Sequence, residues 1–80
     1  MKLISLFKSA EKATIKLSEN QIFSVRGKNI QINCSYGVLW VTWPKKGERI
    51  LEGGQTFRVS SKGKVCIVAL SNAFFLMSKK

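Results

Sequence analysis

The amino-acid sequence predicts an all-β domain, a small antiparallel barrel or sandwich of about seven short strands behind a short N-terminal helix or arm. Three observations carry this. Glycines fall at 27, 37, 47, 53, 54 and 63, and short β-branched and aromatic runs separate them, the turn spacing of barrels and sandwiches. Residues Asn29 to Cys34 alternate, with Ile30, Ile32 and Cys34 on one face and Gln31 and Asn33 on the other, which is the period of a half-buried strand. Val38 to Trp43 is dense in β-formers, with Val38, Trp40 and Thr42 on one face and Leu39, Val41 and Trp43 on the other.

The elements follow in order. Leu3, Leu6, Phe7 and Ala10 have helical i, i+3, i+4, i+7 spacing, so residues 2–13 read as a short helix or arm. The apolar run Leu3 to Phe7 is too short for a signal-peptide core or a membrane span. Thr14 to Leu17 is a first strand, turned by Ser18-Glu19-Asn20. Ile22 to Arg26 is the second, broken at Gly27-Lys28. After Asn29 to Cys34, Ser35-Tyr36-Gly37 turns the chain into Val38 to Trp43. Pro44-Lys45-Lys46-Gly47 is a turn, because Pro presets φ and Gly tolerates its positive values. Glu48 to Leu51 is a short strand, Gly53-Gly54 a turn or bulge, and Gln55 to Ser60 a strand with Phe57 and Val59 on one face. Ser61-Lys62-Gly63-Lys64 turns into Val65 to Leu70, and Ser71-Asn72 reads as a tight hairpin to Ala73 to Met77. Those last two strands are apolar on both faces, so a second cover, the N-terminal segment or another subunit, is expected over them. The chain divides into an arm at 1–13, a β domain at 14–77 and a basic tail at 78–80.

Eighty residues make one domain with a modest core. The hydrophobic content of 45% argues against disorder. The chain has no His, and its carboxylates are Glu11, Glu19, Glu48 and Glu52. His-dependent nucleophiles and His metal sites are therefore excluded, and no acid–base pair stands out. A non-enzymatic protein with no cofactor is the expectation. Cys34 and Cys66 match neither a CxxC nor a zinc spacing. They read as small buried apolar side chains in a reduced, cytoplasmic chain.

Lys plus Arg is 14 against 4 acids, a formal charge of +10. Arg26, Arg49 and Arg58 on strands, with Lys28, Lys62 and Lys64 in turns, are candidates for a polyanion-binding face. Lys45 and Lys46 add to the turns. The competing reading is charge that only keeps the chain soluble. An RNP-type aromatic pattern is absent: Lys62-Gly63-Lys64-Val65 has the basic start without the aromatics. Gly53-Gly54 lacks the Gly-Lys-Ser/Thr ending of a phosphate loop.

The stretch Tyr36-Gly37-Val38-Leu39-Trp40-Val41-Thr42, followed by Leu51, Gly53-Gly54 and Gly63 before an apolar strand, resembles the bacterial domain-of-unknown-function family 2917, a small cupin-like β domain. The resemblance covers residues 14–77 and rests on Gly37, Trp40 and Thr42. It implies a cupin-like barrel and brings no activity. The family's pattern carries an acid, usually Asp, before the Leu-x-x-Gly turn, and Glu48 is the nearest match. Metal-binding cupins use several His and a Glu, and this sequence has no His.

Physically, Trp40 is expected to plug the core, and Thr42 to satisfy a strand end with its hydroxyl. Two functions follow from the residues. One is a protein-interaction or small binding module, pairing as a homo-oligomer through Val65–Leu70 and Ala73–Met77. The alternative is a basic nucleic-acid-binding barrel.

Overall fold

Eight strands run antiparallel through the computed structural model, which describes residues 12–79. They are β1 (Lys12–Leu17), β2 (Ile22–Gly27), β3 (Ile30–Tyr36), β4 (Val38–Trp43), β5 (Gly47–Glu52), β6 (Thr56–Val59), β7 (Gly63–Ala69) and β8 (Ala73–Lys79). The helix expected over 2–13 lies outside the described residues except at Lys12 and Ala13. Those two are strand, because β1 pairs with β8 from Lys12↔Ser78 to Leu17↔Ala73. The same ladder draws Ser78 of the expected tail into β8, and pairing with Ile30 of β3 draws in Lys79.

Two four-stranded sheets result, ordered β1-β8-β3-β6 and β2-β7-β4-β5. The chain changes sheet at every connection except the β4–β5 hairpin, where Trp43 pairs with Gly47. Alternation then fills the space between the sheets. Ile15, Phe23, Ile30, Ile32, Leu39, Val41, Ile67, Phe75 and Met77 all point inward, and among the described residues no polar or charged one is buried. Phe23 of β2 meets Phe75 of β8 edge to face at 6.2 Å between centroids, joining the two sheets. Such ring pairs stabilise beyond their area burial.

The structure corrects three expectations. Trp40 is not the core plug: it is 38% exposed, and Phe23 and Phe75 take that place. On β4 the inward parity belongs to Leu39 and Val41, so Trp40, one residue out of phase, must face outward. Thr42 shares that outward face, in register between Glu48 and Cys66. Ser71-Asn72 is not a hairpin, because β7 pairs with β2 and β4 while β8 pairs with β1 and β3. The link crosses from one sheet to the other. The outward residues of Val65–Leu70 and Ala73–Met77 therefore lie on opposite sides of the molecule and form no common patch.

The connections fall into two sets. Those between β1 and β2, β3 and β4, β5 and β6, and β7 and β8 gather at one end. Those between β2 and β3, β4 and β5, and β6 and β7 gather at the other, with the start of β1 and the finish of β8. A methyl placed on Gly63 would stand 2.9 Å from Pro44 Cγ, and one on Gly27 would stand 3.4 Å from Lys79 Cε. These contacts bring the second set of turns together.

Candidate functional site

Among the described residues the inward positions are filled by apolar side chains. Cys34 is the one inward sulfur donor besides Met77, and burial pushes its thiol above the ordinary value. Cys66 is half-buried on the outer side, 3.7 Å from Ser24 Oγ. Both thiols are free.

Two surfaces remain. The first is the outer face of the β2-β7-β4-β5 sheet. Ile22 pairs with Val68, Val68 with Trp40, and Trp40 with Ile50, so one apolar row crosses all four strands. Ile22, Trp40 and Ile50 are exposed, as is Leu70 beside the row. The Trp40 indole is held in place because its Nε1 donates to Glu48 Oε1 at 2.9 Å. The motif residues Trp40 and Thr42 are thus surface residues of this face. Gly37 belongs to the turn before it, at φ 89.

The second surface is the end where the β2–β3, β4–β5 and β6–β7 turns meet. Of the predicted candidates, Arg26, Lys28, Lys62 and Lys64 come together there. Arg26 is the register partner of Lys64, and Gly27 of Gly63. A groove of about 360 Å³ is lined by Arg26, Gly27, Lys28, Lys62 and Gly63. An adjoining groove of about 310 Å³ is lined by Ser24, Val25, Arg26 and Lys64. Like charges directly opposite on neighbouring strands repel, and among the described residues no side-chain hydrogen bond or ion pair relieves these four. Lys45 and Lys46 stand in the adjacent turn with left-handed backbone, φ 70 and 64, a conformation that disfavours side chains other than Gly, Asn or Asp.

Arg49 and Arg58 are not part of this group. Arg49 lies over the Phe57 ring, 4.7 Å from Cζ to centroid, and Phe57 in turn packs on Trp43 at 5.2 Å. This stack fills the seam between the unpaired edges of β5 and β6. Arg58 donates from Nη2 to Gln31 Oε1 at 2.9 Å on the outer face of the other sheet. The contribution of Lys45 and Lys46 to the same end was readable in the sequence: basic turns alternate with turns that hold no Lys or Arg, and in a chain running up and down alternate turns share an end.

No family model matches the chain, and no curated protein does. Solved structures do. A conserved protein of unknown function from Streptococcus pyogenes superposes with a TM-score of 0.75 at 14% identity, covering 86% of this chain and 63% of that one. A cupin superfamily protein from Desulfitobacterium hafniense gives 0.75 at 8% identity, covering 86% and 66%. Drosophila melanogaster CENP-C, in a structure bound to CAL1, gives 0.74 at 11% identity, covering 90% and 66%. This chain thus spans slightly under two thirds of their lengths. Identities this low show the fold alone: a small cupin-like, double-stranded β-helix domain.

Metal binding in cupins rests on clustered His and carboxylate donors inside the barrel. Here the inward residues are apolar, and among the described residues no three His, Cys, Asp or Glu come close enough to hold an ion. The described donors do not fit a metal. No helix among the described residues is long and apolar enough to cross a membrane.

Proposed function

We propose that this chain is a non-catalytic interaction module whose β2-β7-β4-β5 sheet pairs, through its outer face, with a second copy of itself. The observation that carries this is the row Ile22, Val68, Trp40 and Ile50, continuous in register across the whole sheet. Native sheets with one solvated face ordinarily place polar residues there, so an outward apolar row implies a cover. The other sheet's outer face is less continuous. There Leu76 stands in register between Thr14 and Asn33. Within the cupin-like fold, the Gly37, Trp40 and Thr42 pattern favours family 2917 as the finer assignment.

The non-catalytic part of the reading is supported by the filled interior and by the separation of the described carboxylates. Glu48 is bonded to Trp40, while Glu19 and Glu52 lie at the opposite end of the strands. The binding part is supported by CENP-C, a neighbour of the same fold in a structure bound to CAL1.

The pairing is weak by its size. Four strands about 4.8 Å apart, over some 20 Å of strand length, present roughly 400 Å² per copy. That is about half the area each partner buries in a standard interface. Trp40 is the expected anchor, as a large ring at the centre of the patch. Sedimentation velocity over a concentration series tests it at about 0.1 M and 0.5 M salt, which differ strongly in screening. Self-association is expected to rise with both concentration and salt, since screening relaxes repulsion between two chains of charge +10. Trp40→Lys is expected to abolish it while leaving the circular dichroism spectrum unchanged. A strict monomer at both salts and at the highest concentration reached, or a Trp40→Lys chain that associates equally well, would refute the proposal.

A further inference from the structure

The end of the barrel built by the β2–β3, β4–β5 and β6–β7 turns carries Arg26, Lys28, Lys45, Lys46, Lys62 and Lys64. Among the described acids only Glu48 lies toward it, a single negative charge whose Oε1 accepts from Trp40 Nε1. At the opposite end the charges are Lys16, Glu19 and Glu52. Among the described residues, most of the positive excess is therefore gathered on one end face rather than spread evenly as solubility charge would be. From this polarity we infer that the end face is a landing surface for the phosphate backbone of double-stranded nucleic acid, held by charge and shape without reading bases.

Four observations narrow the ligand to that class. First, the cations converge: Gly63 packs on Pro44, which fixes the Lys45–Lys46 turn beside the Lys62–Lys64 turn, and Arg26 faces Lys64 across the ladder. Secondly, Lys45 and Lys46 both hold left-handed backbone. Tight hairpins take this backbone, ordinarily with Gly, Asn or Asp, and here lysines in those positions present two ammonium groups at the apex. Thirdly, the described exposed large hydrophobics are Ile22, Tyr36, Trp40, Ile50, Leu70, Phe74 and Leu76, none of them in these three turns. A protein that settles on a lipid surface seats apolar side chains among its cations, so a membrane is disfavoured. Fourthly, the same absence removes the stacking platform that single-strand binders need, which favours a duplex. The grooves of about 360 and 310 Å³ between the turns are open at the surface and suit phosphates approaching from outside. A body 27 × 26 × 22 Å across spans a length of duplex in which roughly a dozen phosphates fall.

Arg26 and Lys64 lie at the edge of the same outer sheet face as Ile22 and Val68, so the two proposals are told apart by salt, to which they respond with opposite sign. Fluorescence anisotropy with a labelled duplex of about 20 base pairs tests it. If the six cations neutralise about five phosphates, affinity falls roughly 500-fold between 50 and 200 mM salt. Unrelated duplex sequences should bind within about twofold of one another, since no base edge is read. Arg26→Glu with Lys64→Glu should weaken binding at least tenfold and flatten the salt dependence, whereas Lys16→Glu at the far end should leave it within twofold. Thermal melting of each variant confirms that it is folded. Three results would overturn the inference: no duplex binding at 50 mM salt, equal loss from Lys16→Glu, or binding confined to vesicles containing phosphatidylserine.

Discussion

The two ends of the barrel are closed by different chemistry. At the end formed by the β1–β2, β3–β4, β5–β6 and β7–β8 connections, side chains and backbone bond to one another throughout. Gln21 Oε1 accepts from Ser18 N, Asn72 Oδ1 from Glu19 N, Gln55 Oε1 from Glu52 N and Ser71 Oγ from Val38 N. Backbone bonds from Asn20 to Ala69, Leu70 to Val38, and Gly54 to Cys34 tie separate connections together. At the other end, among the described residues, the turn side chains make no such bonds. There like charges face each other and two lysines sit in left-handed backbone. A surplus of satisfied hydrogen bonds marks the end that holds the fold, and a surplus of unrelieved charge marks the end that is free to hold something else.

Glycine substitutions test this most severely. Gly37 has φ 89, and an added Cβ would strike the Asn72 carbonyl oxygen and come within 2.8 Å of Ala73 Cα. Both obstacles are backbone of the bonded end, so neither can step aside. Gly37→Ala should cost about 3 kcal/mol or more, lowering Tm by roughly 15 °C. Gly63, at the basic end, has φ 126 and would meet only the Pro44 ring, at 2.9 Å. Gly63→Ala should cost about 1–2 kcal/mol. Equal losses in thermal melts would mean that the two ends are equally rigid.

Much of this was legible in the sequence, and the failures have physical reasons. The two-residue period placed both faces of Asn29–Cys34 correctly, because one face is apolar and the other polar. For Val38–Trp43 the period separated the faces but could not choose between them, since both are apolar. Size suggested Trp40 for the interior, but inward space is set by the opposing sheet, which accommodates Leu39 and Val41 and places Trp40 over Ile50 and Val68. The Ser71-Asn72 break carries an ordinary turn signal. What it joins is decided by strands far away in sequence, with β3 taking up β8. The basic residues were identified individually, and their grouping depends on which turns share an end. That topology left Arg49 and Arg58 out and brought Lys45 and Lys46 in.

Side-chain truncations at the turns should sharpen the contrast. Asn72→Ala removes the acceptor for Glu19 N across the bonded end and should cost about 0.5–1 kcal/mol. Lys28→Ala removes one of the charges crowded around Arg26 and should leave Tm unchanged or raise it. At the apex of the β4–β5 turn, Lys46→Gly relieves left-handed strain at φ 64 and should stabilise by about 0.5–1 kcal/mol, while weakening duplex affinity. A variant that gained stability without losing affinity would show that the strained turn serves no ligand.

The smallest effect is also found at the bonded end. The Cys34 thiol points at the Tyr36 and Gly37 carbonyl oxygens, at 3.6 and 3.5 Å, and burial raises its pKa above the ordinary 9.0. Above pH 9 the unfolded chain loses this proton while the folded chain keeps it. The folded state then binds more protons, and stability falls as pH rises through that window. Below pH 9 both states hold the proton and the group contributes no slope. Denaturant unfolding at a series of pH values should therefore show a decline that begins near pH 9 and is shallower in Cys34→Val, whose side chain is of similar size and does not titrate. Arg26→Glu at the opposite end should leave that decline in place. If Cys34→Val declined as steeply as the wild type, the buried thiol of the bonded end would not be the source of the decline, and this contrast between the two ends would fail.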